Sequence, residues 1–237
     1  MTPPLVTVIT VCYNAVALIE ETIQSVLGQD YPHLEYLIID GASTDGTLDI
    51  IKKYADRIKY VSEPDKGIYD AMNKGLKMAG GEWVNFMNAG DTFADRSVVR
   101  KVFVNREVSS QIQVIVGTTY DVYTDHRELR PLESIGEISM YIPFCHQSSF
   151  TRIGTDNLWS FDTNYRMAAD YNLFYTIWER YGTKAFLQLD FPVACYRMEG
   201  STSYVNMHVT KGEYLRIRSR HRDWQWWKEW LKWKFRK

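Results

Sequence analysis

The 237-residue chain has three cysteines and no apolar run long enough to span a bilayer. Cys12, Cys145 and Cys195 are odd in number and widely separated, which excludes a disulfide framework or a cysteine zinc site and points to a reducing compartment. The opening "MTPPLVTVITVCYNA" carries no basic leader. Its apolar stretch falls far short of the roughly 20 residues that a membrane span needs, so the expectation is a protein made and kept in the cytoplasm. Two phosphate-binding signatures are missing as well. No G-x-G-x-x-G follows the first apolar run and no G-x-x-x-x-G-K-S/T occurs anywhere, which excludes a dinucleotide fingerprint and a P-loop. No internal repeat or low-complexity linker appears before about residue 205.

What is present is alternation. With 45% hydrophobic residues the chain can bury one full core. Apolar runs at 5–11, 35–40, 58–62 and 82–87 alternate with helix-like patterns at 16–28, 47–55 and 68–79. Parallel neighbours need crossover connections, so this order predicts an α/β layered domain with helices on both faces of a sheet. Beyond residue 110 the runs shorten, with strand-like stretches in "IQVIVGTTYDVYT", "EISMYIP" and "HQSSFT". A helix-like 168–181 follows, then strand candidates near 185–190 and 193–198. These read as a mixed extension of the sheet.

Polar residues gather where the first strands finish: Tyr13-Asn14, Asp40-Gly41, Glu63-Pro64-Asp65-Lys66 and Asn88-Ala89-Gly90-Asp91. Each acid alone is equally a turn former or a helix cap. Together they should converge on one crevice, because open α/β sheets bind ligands outside the carboxyl ends of their strands. Lacking a Gly-rich loop, a diphosphate bound there needs other neutralisation, and a hard divalent cation bridging its oxygens supplies it. "EWVNFMNAGDTF" fits that need. Asp91 would ligate the metal, Asn88 would offer an amide oxygen or order a metal-bound water, and Gly90 would let the backbone approach the diphosphate. Asp40 is placed to accept hydrogen bonds from a base or ribose.

"TVITVCYNA", "LIIDGASTDGT", "SEPDKGIYDAMNKGLKMAGGEWVNFMNAGD" and "YRMAADYNLF" resemble, in order, the signatures of family 2 glycosyltransferases with the GT-A fold, across roughly residues 5–200. The resemblance implies a three-layer α/β/α domain over 1–205 and an inverting transfer of sugar from a nucleotide-sugar donor, a UDP-sugar foremost, with Mg²⁺ or Mn²⁺. It implies donor contacts from Tyr13, Asn14, Asp40, Asp65 and Lys66, a metal ligand in Asp91, and a general base in Asp170, which otherwise reads as a helix cap. His146 and Gln147 become candidates for the donor phosphates or sugar, against a core role for the histidine. Arg197 could reach the diphosphate or form a surface ion pair. Two departures stand out: Asp40-Gly41 replaces the frequent Asp-Asp, and Asn88-Ala89-Gly90 with Asp91 one position later replaces Asp-x-Asp. A nucleotidyltransferase and a non-catalytic nucleotide-sugar-binding protein are the rival readings.

Net charge is −1, yet residues 211–237 hold ten Lys/Arg against three Asp/Glu, +7, leaving −8 for the rest. Five of the eight tryptophans lie in the last fourteen residues, which makes this end the chain's one aromatic-rich basic segment. On a helical wheel Trp224, Trp226, Trp227, Trp230, Leu231, Trp233 and Phe235 share a broad arc, with Arg222, Gln225, Lys228, Glu229, Lys232 and Arg236 on most of the rest. The expectation for 206–237 is an amphipathic helix lying on an anionic membrane surface, the inner face of the cell membrane. Packing onto the catalytic domain is the plainer alternative, and nucleic acid is not expected as a partner. A polyprenyl-diphosphate-linked saccharide, whose lipid stays in the bilayer, is the acceptor that suits such a helix.

Overall fold

β1 (Val6–Cys12) has every residue buried, as a strand covered on both faces must. Val6, Val8 and Cys12 join one apolar cluster, Ile9 and Val11 another on the opposite face, the period-two division of a pleated strand. β2 (Leu34–Asp40) and β4 (Trp83–Phe86) pair with β1 in parallel, and β3 (Lys59–Ser62) pairs with β2. α1 (Ile19–Leu27), α2 (Thr47–Lys52) and α3 (Ile68–Met78) supply the crossovers. The computed structural model describes residues 3–104, 106, 108–153, 160–200, 207–220 and 224–234.

The sheet extends beyond β4 through β8 (Ser149–Arg152), β6 (Val114–Val122) and β9 (Phe186–Arg197) to the two-residue β5 (Thr92–Phe93), with β7 (Arg127–Arg130) paired to β6. β8 runs antiparallel to both β4 and β6, so β6 and β9 point the same way as the first four strands. The ends of β1, β4 and β9 and the beginning of β8 therefore share one edge. α3, α5 (Ala169–Tyr181) and α6 (Met207–Arg218) cover one face; α1, α2 and α4 (Val98–Phe103) cover the other. The expected three layers are present.

Three expectations are corrected. "EISMYIP" is not a strand: Ile135–Ser139 is a 3-10 turn whose Ser134 hydroxyl accepts from the Gly136 N–H. Its buried residues, Ile135 and Ile138, are spaced by three rather than two. The candidates at 185–190 and 193–198 are one strand, β9. Pro192 sits opposite Thr118, where the register shifts on both sides, and a residue without an N–H is tolerated at such an irregularity. The C-terminal segment holds two helices, α6 and α7 (Trp224–Lys234). Arg222, Phe235 and Arg236 lie outside the described residues, as does the expected boundary at 205–206.

α3 lies close on β1 because residue 75 has no side chain. A Cβ at Gly75 would stand 2.6 Å from Ile9 Cγ2 and 3.2 Å from Ile9 Cδ1, inside the core. Gly75→Val should lower the unfolding free energy by about 2 kcal/mol or more. Gly136→Ala, whose new Cβ would meet Ser134 Oγ at an ordinary 3.5 Å, should change it by about 0.5 kcal/mol at most. Urea denaturation of the two variants checks the contrast.

Candidate active site

Strand β4 ends in a turn that α1 holds in place. The buried Thr22 hydroxyl accepts from the Gly90 N–H at 3.0 Å and donates to the Asp91 carbonyl at 2.8 Å. The Asp91 N–H returns to the Asn88 carbonyl at 3.0 Å. Gly90 closes the turn at φ +99°, a left-handed conformation that glycine adopts without steric cost. Gly90 thus shapes the turn, and the residue beside it delivers the charge.

Asp91 is only 5% exposed. Its Oδ2 accepts from Gln147 Nε2 at 2.8 Å and its Oδ1 from the Arg197 N–H at 3.0 Å. Burial outweighs these bonds and the Arg197 charge, pushing the carboxyl up to about 7. Gln147 is itself oriented: the Cys145 thiol donates to its Oε1 at 3.0 Å, and Asn85 Nδ2 donates to the carbonyls of Gln147 at 2.8 Å and Ser149 at 2.9 Å. His146 sits among the rings of Phe86, Phe161 and Phe174. Burial pushes its pKa down, against the opposing pull of Asp170, and favours a neutral imidazole.

Asp170 is the second residue of α5. Its Oδ1 accepts from Tyr69 Oη at 2.9 Å and from the Tyr171 N–H at 2.8 Å. Among the described residues its Oδ2 accepts no hydrogen bond, and His146 Nδ1 stands 3.9 Å away. One carboxylate oxygen is anchored and the other is left for a ligand. Tyr13, Asn14, Asn88, Asp91, His146, Gln147, Asp170 and Arg197 all line one cavity of about 620 Å³, so most of the expected site does converge.

Four expected residues lie off that lining. Asp40 is fully buried, and its carboxylate accepts from the Ser43 N–H at 3.1 Å, the Ser62 hydroxyl at 2.6 Å and the Ser43 hydroxyl at 2.5 Å. It fixes the loop after β2, where Ala42 adopts positive φ; the loop after β1, where Asn14 also has positive φ, is tied to it as Asn14 Oδ1 accepts from the Thr44 N–H at 2.9 Å. Asp65 Oδ2 lies 2.6 Å from where a Cβ on residue 41 would stand, which explains why glycine follows Asp40: a second aspartate would strike Asp65. Lys66 is exposed, its N–H donating to Asp70 Oδ2 at 3.0 Å. Gly90 is the fourth.

Sequence reasoning missed Tyr69, Thr22 and Tyr214. Tyr69 falls inside a quoted motif but carries no charge to mark it, and Thr22 acts within a helix interior. Tyr214, on α6, lines the cavity together with Thr210.

A family model described as Glycosyl transferase family 2 matches residues 7–169. The chain belongs to this family. Among curated relatives, the protein named as the teichuronic acid biosynthesis glycosyltransferase TuaG of Bacillus subtilis (strain 168) is 47% identical over 92 residues, 37% of this chain and 36% of that one. A PGL/p-HBAD biosynthesis glycosyltransferase of Mycobacterium bovis is 27% identical over 179 residues, 73% of this chain and 69% of its own. The match thus spans about a third of the first relative's length and two thirds of the second's. Two solved structures share the fold. The mannosyltransferase PcManGT from Pyrobaculum calidifontis, in complex with GDP-Man and Mn²⁺, aligns at TM-score 0.70 with 20% identity, covering 93% of this chain and 65% of that one. S. aureus TarS 1-349 in complex with UDP aligns at 0.63 with 19% identity, covering 91% and 70%. The family 2 domain therefore has the GT-A fold.

The donor chemistry of this domain fits a hard divalent ion. Asn88 Oδ1 is buried and has no hydrogen-bond partner among the described residues, as does Arg197 Nε. An orphaned oxygen acceptor and an orphaned cationic donor on one cavity suit a metal beside a phosphate. Among the described residues no group of three or more His, Cys, Asp or Glu could cage an ion. Asp91 and Asn88 would hold it with substrate oxygens completing the shell, as Mg²⁺ commonly binds. Ligation requires the Asp91 carboxylate, and its carboxyl is raised to about 7. Below that pH a proton must leave on binding. Mn²⁺ affinity, followed by the electron paramagnetic resonance of the free ion, should be about tenfold weaker at pH 6 than at pH 8; equal affinities would remove Asp91 from the ligand set.

Proposed function

We propose that the protein transfers a sugar, with inversion, from a nucleotide-sugar donor to a hydroxyl of a saccharide acceptor in cell-surface polysaccharide biosynthesis. The observation that carries this reading is Asp170, with Oδ1 held by Tyr69 and Tyr171 and Oδ2 accepting no hydrogen bond among the described residues, on the cavity that also holds Asp91, Asn88 and Arg197. Relatives named for teichuronic acid and PGL/p-HBAD biosynthesis support the polysaccharide or glycolipid context. Neighbours solved with UDP and with GDP-Man support a nucleotide-sugar donor.

Asp170 Oδ2 takes the proton from the acceptor hydroxyl as that oxygen attacks the anomeric carbon from the face opposite the nucleotide. A single displacement of this kind inverts the centre and needs no covalent enzyme intermediate. Neutral His146 stands beside Oδ2, its Nδ1 3.9 Å away. Arg197 Nε donates to the diphosphate, and Tyr13 and Asn14 border the nucleotide from the loop after β1, which Ser43 links to Asp40. Mg²⁺ or Mn²⁺, when bound at Asp91, supplies positive charge against the departing diphosphate.

The donor is found by thermal shift: among UDP-, GDP-, CDP- and dTDP-sugars with Mn²⁺, the one that raises Tm most is the probe. Asp170→Asn should lower nucleoside-diphosphate release from that probe, with water as acceptor, by about 10²–10⁴-fold while leaving its binding intact. Turnover near wild type would remove Asp170 from the role.

The acceptor in this reading is carried on polyprenyl diphosphate, and the protein works peripherally on the inner face of the cell membrane. Among the described residues no helix is long and apolar enough to cross a membrane. α7 presents Trp227, 43% exposed, and Leu231, 48% exposed, one helical turn apart, beside the exposed Lys228 and Lys232. That face suits an anionic interface. Trp227→Ser with Leu231→Ser should release the protein from phosphatidylglycerol vesicles in a sedimentation assay, its circular dichroism unaltered; continued binding would refute the anchor.

A further inference from the structure

α5 begins without a side-chain cap. Its N-cap position is Ala168, whose side chain has no polar atom to offer, so no N-cap side chain fixes the direction in which the chain enters it. A carboxylate from another helix does so instead. Glu213, on α6, accepts from the Arg166 N–H at 2.8 Å through Oε1 and from the Met167 N–H at 2.9 Å through Oε2. These two amides lie four and three residues before Asp170. α6 is in turn fixed to α5: Ile217 is fully buried in the same core cluster, the Tyr214 and Tyr171 rings stand 4.2 Å apart, and Arg220 donates to Asn172 Oδ1 at 2.7 Å and to Glu179 Oε2 at 2.9 Å.

We propose that Glu213 is a positioning residue for the Asp170 base, so that the helix after the family-matched region belongs to the catalytic apparatus. This rests on the general-base reading of Asp170. Two hydrogen bonds to adjacent amides set both the place and the rotation of the peptide that leads into α5. Asp170 Oδ1 is tied to Tyr171 within that helix and to Tyr69 across the cavity. A shift of the helix start therefore either breaks the Tyr69 bond or swings Oδ2 away from the acceptor. Glu213 lies beyond residues 7–169, and it is one of only three acids in the basic end of the chain, which gives its placement against two backbone donors a specific purpose.

The test is a double-mutant cycle with Glu213→Gln, which keeps the shape but turns an NH₂ group toward one of the two N–H donors. With the donor probe defined above, Glu213→Gln should lower kcat for nucleoside-diphosphate release about 10- to 100-fold and leave the donor KM unaltered. In the Asp170→Asn background the same substitution should cost nothing further, since the base it positions is gone. A merely structural role lowers the folded fraction and hence the rate equally in both backgrounds, so equal losses overturn the assignment, as does a wild-type kcat for Glu213→Gln. Should Asp170→Asn itself leave kcat unaltered, the general-base reading fails, and the positioning role with it.

Discussion

The buried Asp91 carboxylate is the junction on which the site is built. It accepts one hydrogen bond from the turn before β8 and one from the last residue of β9, while its own backbone is tied to α1 through Thr22. Four segments far apart in sequence thus meet at one charged group. A carboxylate buried this deeply carries a desolvation cost that two neutral donors do not offset, as its raised pKa records. Bringing a cation to it relieves that cost. In the proposed reading the fold supplies the rigidity and a bound cation would supply the compensating charge.

Much of this was legible from the strand ends. β1, β2 and β4 announced themselves because strands buried on both faces are continuous apolar runs, and the polar residues that stop them fall, by topology, at one edge. That route and the resemblance to family signatures led to Asp91, Asn88 and Asp170, which line one cavity. The departures from those signatures became intelligible only in three dimensions. Gly41 is required by Asp65, a residue 24 positions away, and no local pattern encodes such a contact.

Elements that pattern reading missed are those whose stability is borrowed. β5 has two residues and exists because β9 passes beside it. The 3-10 turn at Ile135–Ser139 buries two isoleucines that also suit a strand. Asp40 illustrates a different limit: its type and position were read correctly, yet its direction was not. Whether a strand-end carboxylate faces a ligand or ties down the next loop depends on nearby hydroxyls, here Ser43 and Ser62, and serine is too common to signal such a role.

The C-terminal helices show how one compositional bias can serve two surfaces. The tryptophans that share an arc on a wheel divide in space. Trp226 is buried and donates through Nε1 to the Leu215 carbonyl at 2.7 Å, and Trp233 lies against Gly212, while Trp227 faces outward. The basic residues differ in what they touch. Arg216 covers the Tyr165 ring, Arg218 is buried with Nη2 on the Met140 sulfur, and Arg220 grips α5. Lys228 and Lys232 stay exposed. A guanidinium is weakly hydrated and offers a planar fork of donors, so it serves well in protein contacts, whereas an ammonium keeps its water and remains outside. Arg220, just past α6, fastens that end of the chain to the helix that carries Asp170, leaving the lysine face of α7 turned to a surface beyond the protein.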